Sequence, residues 1–362
     1  MTSGLFKLEG AGNDFVLGIG AWAGRLESEP DLVRRICDRR RGVGADGTLA
    51  LERLRSDRVR LVYRNADGGE ALFCANGTRC AARAGVDLLG CDPKVVVETG
   101  WAAIPARVDG SRVSLELASP EARPRCPEIS MPGSAAALCL VEVGVPHVVV
   151  AAGGLSDLDL DAIARPLRHH DALGPEGANV NLYDVGSGDS VSVRSFERGI
   201  EGETLCCGSG LVAVGLVMME ERGTREIELI PLSGDRLLVE ALGEPPVCAT
   251  RFTGPARFIA ELDPCEDFLN ALYGQRVFVP GLRGGQDKQV LSPLVLDHSL
   301  LEAGITIDDI DEIINDAAFT SHDQVQIAQA HIEINDSGFV TFQGQTCADS
   351  GAGGRFAYAA FA

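Results

Sequence analysis

Glu203-Thr204-Leu205-Cys206-Cys207-Gly208-Ser209-Gly210 has a counterpart far upstream, Glu70-Ala71-Leu72-Phe73-Cys74-Ala75-Asn76-Gly77. In each stretch a glutamate stands four positions before a cysteine, which is followed by a small residue, a small polar residue and a glycine. Small, mostly apolar runs come next: Cys80-Ala81-Ala82-Arg83-Ala84 in one copy and Leu211-Val212-Ala213-Val214-Gly215 in the other. The two cysteines, Cys74 and Cys207, lie 133 positions apart. A duplicated half, each copy presenting one thiol, is the simplest reading.

The local pattern sets each cysteine in a Gly-rich turn that opens a helix. The first helix is expected to run to about Gly90 and the second to about Gly223, both glycines suiting a left-handed stop. At a helix start, free N–H groups and the dipole favour negative charge, so a thiol there is expected to ionise more easily. The same N–H groups can hold a substrate carboxylate. Two facing thiols around such a cradle suit inversion of an amino-acid centre: one thiolate removes the α-proton and the opposite thiol returns one. A free thiol, with a pKa of about 8.5, is far more acidic than an α-carbon, so the site must also stabilise the carbanion-like transition state.

The remaining cysteines read as structural. Cys37, Cys80, Cys91, Cys126, Cys139, Cys248, Cys265 and Cys347 lack repeated surroundings, and Cys206 matches the apolar Phe73. With no C-x2-C pair or Cys/His cluster, no metal is expected.

Further motifs surround the thiols. They are Lys7-Leu8-Glu9-Gly10-Ala11-Gly12-Asn13-Asp14-Phe15, Asp38-Arg39-Arg40-Arg41-Gly42-Val43-Gly44-Ala45-Asp46-Gly47, Asn65-Ala66-Asp67-Gly68-Gly69-Glu70, Gly177-Ala178-Asn179-Val180-Asn181 and Glu197-Arg198-Gly199. In this order, with both cysteines in place, residues 5–262 resemble diaminopimelate epimerase, the cofactor-independent two-cysteine member of a racemase and isomerase superfamily. The resemblance implies an α+β fold of two pseudo-symmetric lobes, each a curved sheet or barrel around a central helix, closing over the substrate. It also implies an isomerase of the lysine and cell-wall precursor route that needs no PLP, with Cys74 and Cys207 as base and acid. Asn76 with the backbone of Ala75, and Gly208 with Ser209, would hold the carboxylate. Asn13, Asn65, Asn179, Glu197 and Arg198 would bind the substrate, while His147 and Glu197 would tune the thiols. A homodimer is the family's suggestion.

Two departures bear on specificity. Ala75 replaces the family's usual glycine, keeping an N–H but adding a methyl. Gly144-Val145-Pro146-His147 replaces Gly-Asn-Pro-His, which removes a polar substrate contact, and sites built on polar contacts discriminate strongly. Rival readings are therefore a racemase of another amino acid and a ligand-binding homologue without turnover. A redox thiol protein is a third.

At 362 residues, with 45% hydrophobic content, the chain has material for two or three domains. A net charge of −20 argues against nucleic acid as a partner. The basic runs Arg34-Arg35 and Arg39-Arg40-Arg41 read as a solvated helix face and the turn after it. No apolar run of eighteen residues is present, and the start lacks a signal-peptide layout, so a cytoplasmic protein away from membranes is expected. Eleven irregularly spaced cysteines also fit a reducing compartment.

The expected organisation is a first lobe over 1–120, completed by a returning strand near 252–262, a second lobe over 121–251 and a C-terminal extension over 263–362. Asp31–Cys37 reads as a helix. Strands are expected at Val59–Tyr63, Val95–Glu98, Ser192–Arg198 and in a hairpin of Ile227–Pro231 with Arg236–Glu240. Strands are also expected on either side of a Pro146-His147 turn. His169 and His170 read as solvated. Residues 261–362 carry sixteen acids and four bases, making an acidic extension of unrecognised role. Thr306-Ile307-Asp308-Asp309 opens an expected amphipathic helix, Phe339–Phe342 a strand, and Ala348–Arg355 a Gly-rich loop.

Overall fold

The computed structural model describes residues 3–125, 129, 138–185 and 190–263, and the backbone of four short strands beyond them. The chain divides into two compact units, Met1–Ala260 and Glu261–Ala362.

The first unit builds one topology twice. β1 (Gly4–Gly10) and β2 (Asn13–Ile19) form a hairpin. Its two-residue turn, Ala11-Gly12, has φ of 58° and 85°, the doubly left-handed turn that matches strand twist. Helices α1 (Ala21–Ser28) and α2 (Pro30–Cys37) cross to β3 (Gly47–Arg55), parallel to β2. β4 (Arg58–Asn65) returns antiparallel, and the short β5 (Glu70–Ala71) folds back on it. Helix α3 (Ala75–Asp87) crosses to β6 (Lys94–Glu98), parallel to β4, and β7 (Ala103–Asp109) and β8 (Arg112–Leu117) follow antiparallel.

The second half repeats every pairing. β9 (Leu138–Val143) and β10 (Val145–Ala151) are antiparallel, and α4 (Leu160–Arg168) crosses to the parallel β11 (Asn179–Val185). β12 (Val191–Glu197) returns, with the short β13 (Gly202–Thr204) against it. Helix α5 (Gly208–Arg222) crosses to β14 (Glu226–Ile230), parallel to β12, before β15 (Leu237–Ala241) and β16 (Thr250–Pro255). β16 pairs with β15 on one side and β8 on the other, joining the lobes. β17 (Arg257–Leu262) then pairs with β1. The two-lobed α+β architecture expected from the sequence is the one formed.

Each lobe wraps its sheet around one helix. In α5 the residues Leu211 through Met219 are all buried, which is why its sequence has no polar face. In α3 the small residues Ala81, Ala82, Ala84 and Gly85 let the sheet approach: a Cβ on Gly85 would stand 3.0 Å from Val59 Cγ1. α5 ends on the left-handed Gly223 (φ 65°) as expected, whereas α3 stops at Asp87, short of the left-handed Gly90.

One expectation is corrected. Pro146 and His147 lie inside β10, and the reversal is at Gly144, with φ 72°. Pairing with β11 begins only at His147, opposite Asn179, so the missing N–H of Pro146 costs no bond on that side.

In the second unit, β18 (Val277–Phe278) pairs antiparallel with β19 (Val295–Leu296), and β20 (Gln329–Ile334) with β21 (Val340–Gln345). The expected strand at 339–342 overlaps β21. The expected helix from Thr306 and the Gly-rich loop at 348–355 lie outside the described residues, as do Cys126, Cys265 and Cys347.

Candidate active site

The duplicated topology brings the starts of α3 and α5 against each other. A Cβ built on Gly208 would stand 2.8 Å from Ala75 Cβ and 3.4 Å from Asn76 Oδ1, so the two first turns touch. Position 208 therefore has to be glycine while position 75 carries a methyl. Asn76 Nδ2 donates to the Cys206 carbonyl (3.0 Å), tying one turn to the other. Cys74 and Cys207 are the N-cap residues of the two helices.

Around Cys74 the partners are neutral. The Gly77 N–H donates to Cys74 Sγ (3.4 Å), and the thiol lies 3.6 Å from Asn13 Oδ1. Asn13 follows the tight β1–β2 turn, and its Nδ2 donates to Asp46 Oδ2 (2.6 Å). Asp46 in turn accepts from Arg39 (2.7 Å), which also bonds Asp14 beside Lys7. Arg39, expected to be merely solvated, thus anchors the support beneath Asn13. Asn65 ends β4 with an exposed side chain, its Oδ1 accepting from Tyr63 OH (2.7 Å). Both side-chain groups of Asn76 are taken up by the protein, with Arg79 donating to Oδ1 (2.8 Å), and its backbone N–H is turned to the Cys74 sulfur.

Around Cys207 the partners are ionisable or hydroxylic. Cys207 Sγ lies 3.8 Å from Ser209 Oγ, and its thiol hydrogen-bonds the Glu197 carboxylate. Thr204 Oγ1 donates to the same carboxylate (2.5 Å). His147 is fully buried, with Nδ1 3.3 Å from Asn181 Nδ2. An amide N–H donor at Nδ1 leaves the proton on Nε2, which has no partner among the described residues. Asn179 Oδ1 accepts from the Arg198 N–H (2.7 Å), and the Arg198 guanidinium lies 3.8 Å from the exposed Glu176.

Burial outweighs the helix starts in setting the thiols. It pushes Cys74 up to about 11, against the Gly77 and Asn76 amides and the charge of Arg79, with Glu197 pushing the same way. Cys207 is raised further, again by burial and then by Glu197, against the Gly210 amide and Ser209. The expectation of easily ionised thiols is therefore corrected: desolvation of the thiolate exceeds what the amides return. Burial likewise raises Glu197, opposed by its bonds from Thr204 and Cys207. Burial and then Arg198 lower His147 to about 3, so the ring is neutral. One carboxyl group, Glu197, acts on both sulfurs, so they share one electrostatic environment.

The diaminopimelate epimerase family model matches residues 5–116 and 139–259, which include both cysteines and the residues described around them. This chain belongs to the diaminopimelate epimerase family. A diaminopimelate epimerase of Archaeoglobus fulgidus is 38% identical over 226 residues, covering 58% of this chain and 79% of its own length. That of Aquifex aeolicus is 34% identical over 224 residues, covering 59% and 80%. The fold extends beyond this family. A hydroxyproline epimerase from Agrobacterium vitis superposes with a TM-score of 0.52 at 14% identity, over 72% of this chain and 90% of its own. A PhzF-family phenazine biosynthesis protein from Enterococcus faecalis gives 0.54 at 12%, over 72% and 98%.

Several residues of this diaminopimelate epimerase homologue escaped the sequence reading. Tyr63, Asp46, Arg39, Asn181 and Arg79 sit within quoted motifs or beside them, but nothing in their spacing tells which way they point. His169 bonds Glu201 (3.0 Å) at the surface, away from the thiols' partners. Of the described structural cysteines, Cys37, Cys80, Cys91, Cys206 and Cys248 are buried and Cys139 half-buried. Among the described residues no helix is long and apolar enough to cross a membrane, and no Cys/His/Asp/Glu cluster could hold a metal.

Proposed function

We propose that this chain is an epimerase that inverts the α-carbon of LL-diaminopimelate to the meso form in the lysine and cell-wall precursor route. Cys74 and Cys207 serve as base and acid, exchanging roles with direction, and no PLP is needed. The observation that carries this reading is the abutment of two cysteine-capped helix starts through Ala75 and Gly208, with Glu197 acting on both sulfurs.

The substrate carboxylate sits on the amides of Ala75 and Asn76 from one helix and of Gly208 and Ser209 from the other. There the two dipoles stabilise the charge that develops as the α-proton leaves. Glu197 takes the Cys207 proton, leaving a thiolate; the substrate's own ammonium group offsets the desolvation that otherwise holds both thiols neutral. The α-proton moves to one sulfur and the other sulfur delivers its proton to the opposite face. Asn13, Asn65, Asn179 and Arg198 hold the polar ends of the substrate, the protonated Glu197 donates a hydrogen bond to it, and neutral His147 orients the second turn.

The enzyme works in the cytoplasm as a homodimer, with residues 1–120 and 121–251 as the catalytic lobes and 263–362 as a C-terminal extension. The test is conversion of LL-diaminopimelate by the full chain without added PLP, followed by chiral chromatography against a panel that includes proline and histidine. The expected result is approach to an LL/meso equilibrium with no turnover of the others. Val145, half-buried on β10 two residues before His147, favours a second reading, racemisation of a less polar amino acid. Turnover of another panel member in place of diaminopimelate would establish that instead.

A further inference from the structure

Arg79 is fully buried one turn into α3. Its Nη2 donates to Asn76 Oδ1 (2.8 Å), its Nε to the Pro255 carbonyl (3.1 Å), and its Cζ lies 4.9 Å from the centre of the Phe252 ring. Nη1 has no partner, and no carboxylate bonds the guanidinium among the described residues. Space is kept for it: a Cβ on Gly254 of β16 would stand 3.1 Å from Arg79 Cζ and Nε. A buried cation without a counter-ion is costly, and an apolar side chain of similar volume would pack there without that cost.

We propose that Arg79 is a positioning residue for the inversion, a fixed positive charge behind the paired helix starts that orients Asn76 and through it ties the turn at Cys74 to the turn at Cys207. Arginine can only donate, so its bond assigns Oδ1 of Asn76 and sends Nδ2 to the Cys206 carbonyl. A continuous link then runs from Pro255, on the strand shared by the lobes, through Arg79 and Asn76 to the residue before Cys207. The charge also acts directly on the sulfur: Arg79 is the cation that favours ionised Cys74 and ionised Cys206, while desolvation lowers its own pKa. Glu197 opposes that effect at Cys74, and Glu9 on β1 is the carboxylate whose charge reaches Arg79, without a hydrogen bond to it among the described residues.

This role rests on the proposed inversion, and its test is arranged to stand apart from it. Arg79→Met and Arg79→Lys are made in the full chain, and alkylation of Cys74 by iodoacetamide is followed by peptide mass spectrometry across pH. No substrate is needed for that measurement. Glu197 on β12, Tyr63 on β4, Cys80 on α3 and Cys206 before α5 also act on or feel Cys74, and all remain in both variants. In Arg79→Met the alkylation midpoint moves to higher pH and kcat falls about tenfold or more, while the thermal midpoint holds or rises because the unpaired cation is gone. Arg79→Lys keeps the charge but not the two-point bond, so its alkylation midpoint stays near wild type while kcat falls. If Arg79→Met fails to fold, the lysine variant decides through the same midpoint. A wild-type midpoint and kcat in Arg79→Met, or an upward midpoint shift in Arg79→Lys, overturns the proposal. Failure of wild type to invert diaminopimelate would instead count against the substrate assignment and leave the alkylation result standing.

Discussion

The turns at Cys74 and Cys207 hold equivalent places in two copies of one topology, and they differ in what faces the sulfur. At Cys74 the neighbours are a backbone N–H, the Asn13 side-chain oxygen Oδ1 and the field of the buried Arg79. At Cys207 they are the Glu197 carboxylate and the Ser209 hydroxyl. Duplication conserved the frame that aims the helices, while each half surrounds its sulfur differently. The second turn has a carboxyl group beside its thiol; the first has a buried cation one turn along its helix.

The largest effect expected from breaking this asymmetry is at Glu197. Glu197→Gln keeps an acceptor for the Thr204 hydroxyl but loses the acid–base partner of Cys207, so kcat should fall about a hundredfold or more. Stopped-time assays with LL and meso substrate in turn would measure it. Near-normal rates in both directions would mean that Cys207 does not depend on that carboxylate.

Next comes the tightness of the turns. A Cβ on Gly210 would stand 2.1 Å from Asn181 Oδ1, whereas on the equivalent Gly77 it would stand 3.1 Å from Leu49 Cδ2. Asn181 is held by Ser195, Val148 and His147 and has little room to retreat. Gly210→Ala should therefore destabilise by about 1–3 kcal/mol and more than Gly77→Ala, read from urea midpoints. Equal losses would show that the second turn is no tighter than the first.

The smallest effect is the pH dependence of stability. Cys74, raised to about 11, and Cys37 and Cys206, raised to about 12, keep their protons longer folded than unfolded. Their contribution is complete below the ordinary thiol value of 9.0 and is lost as pH climbs toward 11–12. His147 acts on the acid side: its lowered value gives stability present above 6.5 and lost as pH falls toward about 3. Urea titrations from pH 5 to pH 10 should show a plateau near neutrality with losses at both ends. His147→Gln should flatten the acid limb; an unchanged acid limb would mean that the ring is not held neutral.

Much of this was legible in the chain. The paired Glu-x3-Cys motifs located both helix starts, and the apolar runs after them marked two central helices because a helix wrapped by sheet has no polar face. The direction of the thiol shifts was not legible. Spacing puts Cys74 and Cys207 at helix starts, but burial by the opposite lobe comes from residues far away in sequence, and it dominates. Asn76 shows the same limit: its motif did not tell that its side chain bridges Arg79 and Cys206. Arg79 and Asp46 were passed over because a charged residue in a motif looks alike whether it faces solvent or supports a neighbour. Pro146 misled for a local reason, since a proline marks a turn unless, as here, its missing N–H falls where no second strand is paired.

The claim on which everything depends is that two sulfurs divide one proton exchange between them. It is tested most directly by incubating wild type, Cys74→Ala and Cys207→Ala with LL-diaminopimelate in deuterium oxide and following deuterium at the α-carbon together with its configuration. Wild type should give meso product carrying one deuterium at the inverted centre, and each variant should lose inversion by about a thousandfold or more. Inversion near the wild-type rate in either variant would contradict the two-thiol mechanism.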